Sequence, residues 1–428
     1  MTAALSAMVE FESSAKNDMT ISIPIVSPRI YLDYAAATPP SAGALRAARK
    51  AERFFANPSS IHADGVRAKA VLEAARIDVA RAFRARAEEV FFTSGGTEGI
   101  VTAVTGIARA AASRMFSPVH VLALATDHAA VTQAVAQLER TTANGAPVDV
   151  EFLPVDERGF VRAEDVARAI RPTTALIIMS RVNGELGIIH PTRDVARAIT
   201  EKKTEMKRTE RDFPYFVVDA CQSPVVDTID RQKLGADVVI IDSMKCYGPR
   251  GVGAVMKRHY VPMEEVMVGG GQEDGMRSGT QNVPAIVGMA YAVGECEKQR
   301  EREIVRLATL RDAAIEGMML ESHRQHRAIT VNGFWKKGDT HKRAAHIASV
   351  CIEGASGEML ALRLDARNIS CSHASACASS SDDGASTVVA AFRPECAAST
   401  LRISVGRATR PRHIRAFIRA FAKALAKW

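Results

Sequence analysis

Long hydrophobic runs are missing from this chain. Its most apolar stretches, such as Ala175–Met179 and Val238–Ile241, fall far short of the roughly 20 residues a helix needs to cross a bilayer. Paired cysteines are missing too. The seven (Cys221, Cys246, Cys296, Cys351, Cys371, Cys377 and Cys396) are odd in number and scattered, with no CxxC. That argues against a disulfide framework and against a zinc or other metal site, and predicts a reducing compartment. The first 27 residues lack the basic start, apolar stretch and cleavage pattern of a secretory signal. They carry Glu10, Glu12 and Asp18 but no Arg, which disfavours an organellar transit peptide. A cytoplasmic protein is expected, with the mitochondrion as the other compartment. No basic run is interleaved with aromatics. The formal charge of +8 comes mostly from Arg spread through amphipathic segments, so neither nucleic acid nor membrane is expected as a direct partner. There is no internal repeat and no low-complexity tract.

What is present is an ordinary globular composition, 47% hydrophobic and 24% charged over 428 residues, long enough for two or three domains. Short β-branched runs are predicted as strands at Glu89–Thr93, His120–Thr126, Val148–Pro154, Ala175–Arg181, Phe213–Asp219, Asp237–Ile241 and Gly253–Lys257. Segments between them, such as Ala129–Arg140 and Ala163–Ile170, have helical apolar spacing. This alternation predicts an α/β fold with a mostly parallel central sheet and helices on both faces. Ligands of such sheets bind at the carboxyl ends of the strands. The expected organisation is an N-terminal extension (1–28), a large domain (29–290) and a smaller α+β domain (291–428). Glu295–Glu316 is predicted as the connecting helix. Strands at Ile347–Ile352 and Thr400–Val405 and a helix at Gly357–Leu364 follow. The C-terminal stripe of Ile414, Phe417, Ile418, Phe421 and Leu425 could lie on a membrane, but closing the second domain is the favoured reading. The charge run Glu201–Asp212 is read as a solvated helix extension.

Three local patterns carry chemistry. FFTSGGTEG (Phe91–Gly99) runs from a strand through a Gly pair into a helix, whose first N–H groups suit a phosphate; an ordinary strand-to-helix turn is as good a reading of this stretch alone. YFVVDACQS (Tyr215–Ser223) ends a buried strand in Asp219. A protonated pyridine nitrogen would satisfy that carboxylate and keep the ring an electron sink, and so would a helix-capping role. The strand ending at Asp242 leads to Lys245 and a rigid CYGPRGVG loop, where a lysine can form a Schiff base.

Taken together with YLDYAAATPP, NPSSIH, the Asp127-His128 pair, VNGELGIIHP, GGGQEDGMRSGTQNVP, SHASAC and LRISVGRAT, these stretches resemble the cysteine desulfurase family of fold-type-I pyridoxal-phosphate enzymes, close to the selenocysteine lyases. The resemblance covers Ile30 to about Thr409. It implies that Lys245 holds pyridoxal 5'-phosphate covalently, that His128 stacks on its ring and moves protons, that Asp219 pairs with the ring nitrogen, and that Gln222 reaches the phenolic oxygen. Gly96 and Thr97 would bind the phosphate, with Thr280 completing that site from the partner of a homodimer. Asn183 and Arg402 would hold the substrate carboxylate. Cys377, in a segment of small polar residues predicted to be an exposed loop, would take sulfur from L-cysteine as a persulfide, release alanine, and pass the sulfur to an acceptor or scaffold protein of iron–sulfur cluster assembly or tRNA thiolation. Cys371 is read as structural. The alternatives are a selenocysteine lyase acting on L-selenocysteine, and an idle homologue serving as a dimeric scaffold.

The pattern is broken just before Lys245. Family members place Ser and His where this chain has Asp242 and Met244. A carboxylate there would sit near a dianion. Ser243 is therefore expected to supply part of the lost phosphate contact, with Asp242 turned toward a cation or a backbone N–H. The further departure at Gly99-Ile100 is read as helix packing.

Overall fold

The computed structural model describes residues 29–114, 116–373 and 385–426. The first half runs β1 (Ile30–Tyr31), α1 (Ala42–Ala51), α2 (Ala63–Phe83), β2 (Val90–Thr93), α3 (Gly96–Ala112), β3 (Val119–Leu124), α4 (Ala129–Thr141), β4 (Val148–Leu153), α5 (Ala163–Ala169), β5 (Thr174–Ser180), α6 (Thr192–Glu205), β6 (Tyr215–Asp219), α7 (Arg231–Leu234), β7 (Val238–Asp242) and β8 (Gly253–Lys257). Then come α8 (Val283–Arg324), β9 (Ile329–Val331), β10 (Ile347–Ile352), α9 (Gly357–Asp365), β11 (Ile369–Ser370), α10 (Thr387–Ala390), β12 (Thr400–Ser404) and α11 (Pro411–Leu425).

Seven strands form one sheet in the order β2-β8-β7-β6-β5-β3-β4. The run from β7 to β4 is parallel, and β8 is antiparallel to both its neighbours. The β-branched runs form strands buried on both faces because alternate residues feed two different cores. Phe216, Val218, Val239 and Ile241 pack toward one face with Leu72, Val79, Ile199 and Ile286. Val217, Val238 and Ile240 pack toward the other with Ile100, Val104, Ile107 and Val135 of α3 and α4. The expected mostly parallel α/β architecture is what forms.

Beyond the large sheet, β12-β10-β9 make a small antiparallel sheet covered by α8 and α9, with α11 packed against those two helices. Ile414, Phe417, Phe421 and Leu425 are buried, so the C-terminal stripe closes this unit. The predicted division at 290 falls inside α8, which is continuous across it. At the other end, β1 pairs in parallel with β11, and Asp33 bridges to Ser404, so residues 30–33 sit with the C-terminal half although their sequence position places them in the larger one.

One expectation is corrected and another is refined. Cys351 and Cys396 form a disulfide, with Cα atoms 5.4 Å apart. The cause is the pairing of β10 with β12, which sets Cys351 opposite Thr400 and so brings the turn just before it alongside. The charge run Glu201–Asp212 is a mostly exposed extension of α6 only as far as Glu205, and two of its residues are engaged. Helix α6 ends at Glu205, Lys203 is buried with its ammonium 5.1 Å from the Tyr215 ring centroid, and Arg208 turns back to the carbonyls of Phe213 and Pro172.

Candidate active site

The carboxyl ends of β2, β3, β5, β6 and β7 meet at one edge of the sheet, each followed within a few residues by a polar side chain. These ends, Ala35 and Ala36, Val388 and Arg402 of β12 enclose a cavity of about 230 Å³. Gly96, Thr97, His128, Asn183, Asp219, Gln222, Lys245 and Arg402 all line it. The structure therefore brings together eight sequence-predicted residues from six separate segments.

Lys245 follows β7 in a single tight turn. Its Nζ donates to the carbonyls of Ala35 (2.8 Å) and Ala36 (2.7 Å). Those carbonyls are aimed by Thr38, whose N–H and hydroxyl both bond the Met244 carbonyl. Burial, followed by the nearby Arg402 guanidinium, lowers the Lys245 ammonium below the usual lysine range, which favours the neutral, nucleophilic amine.

Asp219 ends β6, buried, and accepts from the Cys221 N–H at 2.9 Å. His128 caps α4, its Nδ1 accepting from the Ala130 N–H at 3.0 Å. A ring nitrogen that accepts carries no proton, so the proton of the neutral ring is on Nε2. Burial holds His128 below the ordinary histidine value, against the pull of Asp219. Asp127 beside it is fully enclosed. It braces the end of β5 through the Ser180 N–H (2.9 Å), and burial pushes its carboxyl up to about 7.

Asn183 commits its amide to the loops after β3 and β5. Its Nδ2 donates to the Thr126 carbonyl at 2.8 Å, and its Oδ1 accepts from Glu185 and Leu186. Gln222 donates to the Ala35 carbonyl at 2.7 Å. Arg402 donates to the Gly184 carbonyl at 3.0 Å and pairs with Asp33 at 2.9 Å.

Two predicted residues stand elsewhere, and a third is not among the described residues. Ser243 is fully buried, and its Oγ packs against Gly248 with no hydrogen-bond partner among the described residues. It does not line the cavity, because the tight turn that aims Lys245 inward aims its neighbour into the core. Thr280 is exposed, beside a separate indentation with Ser94 and Asn282. Cys377 lies outside the described residues. Asp242 does turn to backbone N–H groups, those of Gly96 and Met244, each at 2.9 Å. The reading by motif missed Asp33, Ala35, Ala36 and Glu185. YLDYAAATPP and VNGELGIIHP contain them, but nothing in composition says that a carbonyl of an alanine faces the lysine.

The aminotransferase class-V family model matches residues 30–417. The chain belongs to the class-V aminotransferase family. Among its relatives, a protein named cysteine desulfurase IscS from Dictyoglomus turgidum is 32% identical, with 88% of this chain and 89% of that one covered. One of the same name from Glaesserella parasuis is 33% identical, with 93% of each covered. Of solved structures, one titled "NIFS-LIKE PROTEIN" superposes with a TM-score of 0.80 at 26% identity, covering 94% of this chain and all of that one. Another, "SspA in complex with cysteine", gives 0.68 at 28%, covering 88% and 98%.

Class-V aminotransferases use pyridoxal phosphate, and most of this cavity fits it. Lys245 presents a depressed amine, Asp219 a carboxylate at the end of a buried strand, and His128 a neutral ring. Thr126 adds a buried hydroxyl on the cavity wall that has no partner among the described residues, and Arg402 Nε is in the same position. Such orphans signal a ligand that completes them. The exception is the phosphate end, where Asp242 stands.

Proposed function

We propose that this chain is a pyridoxal-phosphate-dependent cysteine desulfurase, converting L-cysteine to L-alanine and transferring the sulfur to Cys377 as a persulfide. The observation that carries the reading is the confluence, in one cavity, of the Lys245 amine, the Asp219 carboxylate and the Arg402 guanidinium. Bound there, pyridoxal phosphate supplies an electron sink for the pair left when the substrate Cα–H bond breaks. Lys245 Nζ would hold the cofactor and, as a free amine, would take and return the proton at Cα. Asp219 fixes the ring end, and the neutral His128 ring carries its proton on Nε2. Arg402 and Asn183 hold the substrate carboxylate.

The thiolate of Cys377 attacks the substrate sulfur. An S–S bond forms, the Cβ–S bond breaks, and Cβ takes a proton to give alanine, with no outside oxidant or reductant. The described residues flanking Cys377 support its role. Ser372 exchanges both backbone hydrogen bonds with Arg402, and Ser386 donates to Glu185 on the cavity wall. Cys377 follows Ser372 by five residues and precedes Ser386 by nine in the sequence. Purified protein loaded with cofactor is expected to release alanine from L-cysteine and to carry one extra sulfur on the peptide containing Cys377, seen by mass spectrometry without reductant. In Cys377→Ser the extra sulfur should vanish. An unchanged rate of sulfur transfer in that variant would overturn the role, and a faster release from L-selenocysteine alone would favour the lyase reading.

The same reading makes the chain a homodimer. Phe55, Ile61 and Val268 are exposed, within a few residues in sequence of Pro58 and Gly271, which line a groove with Gln272 and Gln281; a second copy that covered this region would bring the neighbouring Thr280 toward the partner's phosphate end. Sedimentation at twice the chain mass is expected; a monomer at micromolar concentration would rule it out. The acceptor is a sulfur-carrying or scaffold protein of iron–sulfur assembly or tRNA thiolation.

A further inference from the structure

Helix α3 opens at Gly96 after Gly95, which has no side chain to cap it. The first N–H groups of a helix have no intrahelical acceptor and favour an anion. Here that anion is already part of the protein. Asp242 reaches across from the end of β7, and its Oδ2 accepts from the Gly96 N–H at 2.9 Å while Oδ1 accepts from Met244 at 2.9 Å. Close approach is enforced by the glycines: a Cβ on Gly96 would come within 2.6 Å of Cys221 Sγ, and one on Gly95 within 3.2 Å of Asp242 Oδ2. Among the described residues, the cation close enough to interact with Asp242 at this end is Lys245. The cationic side chains on the cavity wall, among the described residues, are Lys245 and Arg402. Lys245 is tied to Ala35 and Ala36, and Arg402 to Asp33 and Gly184. Arg277, which reaches the first turn of α3, is paired there with Glu98 at 2.8 Å.

We propose that Asp242 is a built-in occupant of the cofactor's phosphate cup, so that this chain holds pyridoxal phosphate by its ring and by Lys245, gains little from the phosphate, and takes unphosphorylated pyridoxal nearly as well. The inference rests on the cofactor reading above. A phosphate dianion entering the cup must either displace the carboxylate from the Gly96 N–H or sit beside it, and both cost what the helix start would otherwise return. Asp242 therefore sets which form of the cofactor is retained.

The test is equilibrium titration of cofactor-free protein with pyridoxal 5'-phosphate and, separately, with pyridoxal, read from the absorbance of the lysine adduct and from dialysis. Lys245→Ala serves as the blank. The wild-type chain is expected to prefer the phosphorylated form by less than about tenfold. Asp242→Ser should raise that preference by about tenfold or more, through tighter binding of pyridoxal phosphate, with pyridoxal affinity held within about twofold. Asp242→Asn, which keeps shape and an acceptor but drops the charge, should move the same way and covers the case in which the serine variant does not fold. A wild-type preference of about a thousandfold, or an unchanged preference in both variants, would overturn the inference while leaving the desulfurase reading standing. Absence of any Lys245-dependent band with either compound would sink the cofactor reading and this inference with it.

Discussion

Lys245→Ala is expected to release alanine from L-cysteine at least about a thousandfold more slowly than the unaltered chain, with the fold intact. Lys245 is the one lysine on the cavity wall among the described residues, so no neighbour can take over as the amine. Loss of a positioned proton carrier alone is worth about 10²–10⁴-fold, and here the covalent hold on the cofactor goes as well. The structural cost is small, because the Ala35 carbonyl keeps the Gln222 amide as donor. Lys245→Arg separates charge from nucleophilicity and should be equally inactive. The lowered ammonium value adds a pH signature. Only the neutral amine captures a carbonyl, so the rate at which cofactor-free protein forms its lysine adduct should rise with pH and level off below the ordinary lysine value of 10.5. A profile still climbing through 10.5 would show that the amine is solvated in the free protein. Alanine release by Lys245→Ala at the wild-type rate would remove the residue from the chemistry altogether.

The middle of the large sheet was legible because its strands there are short apolar runs buried on two faces, where a charged residue stands at the end; only the edge strand β4 carries carboxylates, Asp149 and Glu151, along its length. Asp219 and Asp242 mark the ends of β6 and β7 for that reason, and Gly253–Lys257 coincides with β8 residue for residue. The antiparallel direction of β8 was not legible, since strand orientation leaves no mark on a five-residue apolar run. Helix α8 starts at Val283, well before the predicted Glu295, because Pro284 falls in the first turn, where its missing N–H costs nothing, and Asn282 caps it. The β1–β11 pair joins two residues to two others across the length of the chain, and no periodicity announces such a contact. The disulfide escaped for the same reason: Cys351 and Cys396 are 45 residues apart and meet only because β10 and β12 pair.

In the site, side chains at strand ends were legible and backbone groups were not. Chemistry-bearing residue types point to themselves, whereas the carbonyls of Ala35 and Ala36 acquire their role from where Thr38 pins them. Ser243 illustrates the same limit. A hydroxyl one residue from a carboxylate and two from a lysine is a reasonable phosphate ligand on paper, but in the tight turn after β7 successive side chains diverge, and this one goes inward.

Arg402 gives the second large effect, and its two partners determine how to detect it. Its guanidinium is almost wholly buried, with Asp33 on Nη2, the Gly184 carbonyl on Nη1 and a partnerless Nε among the described residues. Charge-assisted hydrogen bonds to a carboxylate are each worth about 1.5–3 kcal/mol, so Arg402→Ala should lower kcat/KM for L-cysteine by about a hundredfold or more, at roughly 1.4 kcal/mol per factor of ten. The same change strands Asp33. That carboxylate keeps 18% of its side-chain surface exposed, so the accompanying loss of stability should be at the low end for a broken ion pair, about 1–3 kcal/mol by chemical denaturation. Arg402→Lys keeps a charge for Asp33 but loses the planar fork, so it should recover stability more fully than kcat/KM. Asp33→Asn leaves the guanidinium charged but less firmly aimed, and its loss should appear mainly in KM. A substrate without a carboxylate distinguishes recognition from mere scaffolding. Cysteamine has the amine and the thiol but nothing for the guanidinium to hold, so its slow turnover should be nearly unaffected by Arg402→Ala. Equal losses on cysteamine and L-cysteine would show that Arg402 shapes the cavity through Asp33 and Gly184 and does not bind substrate.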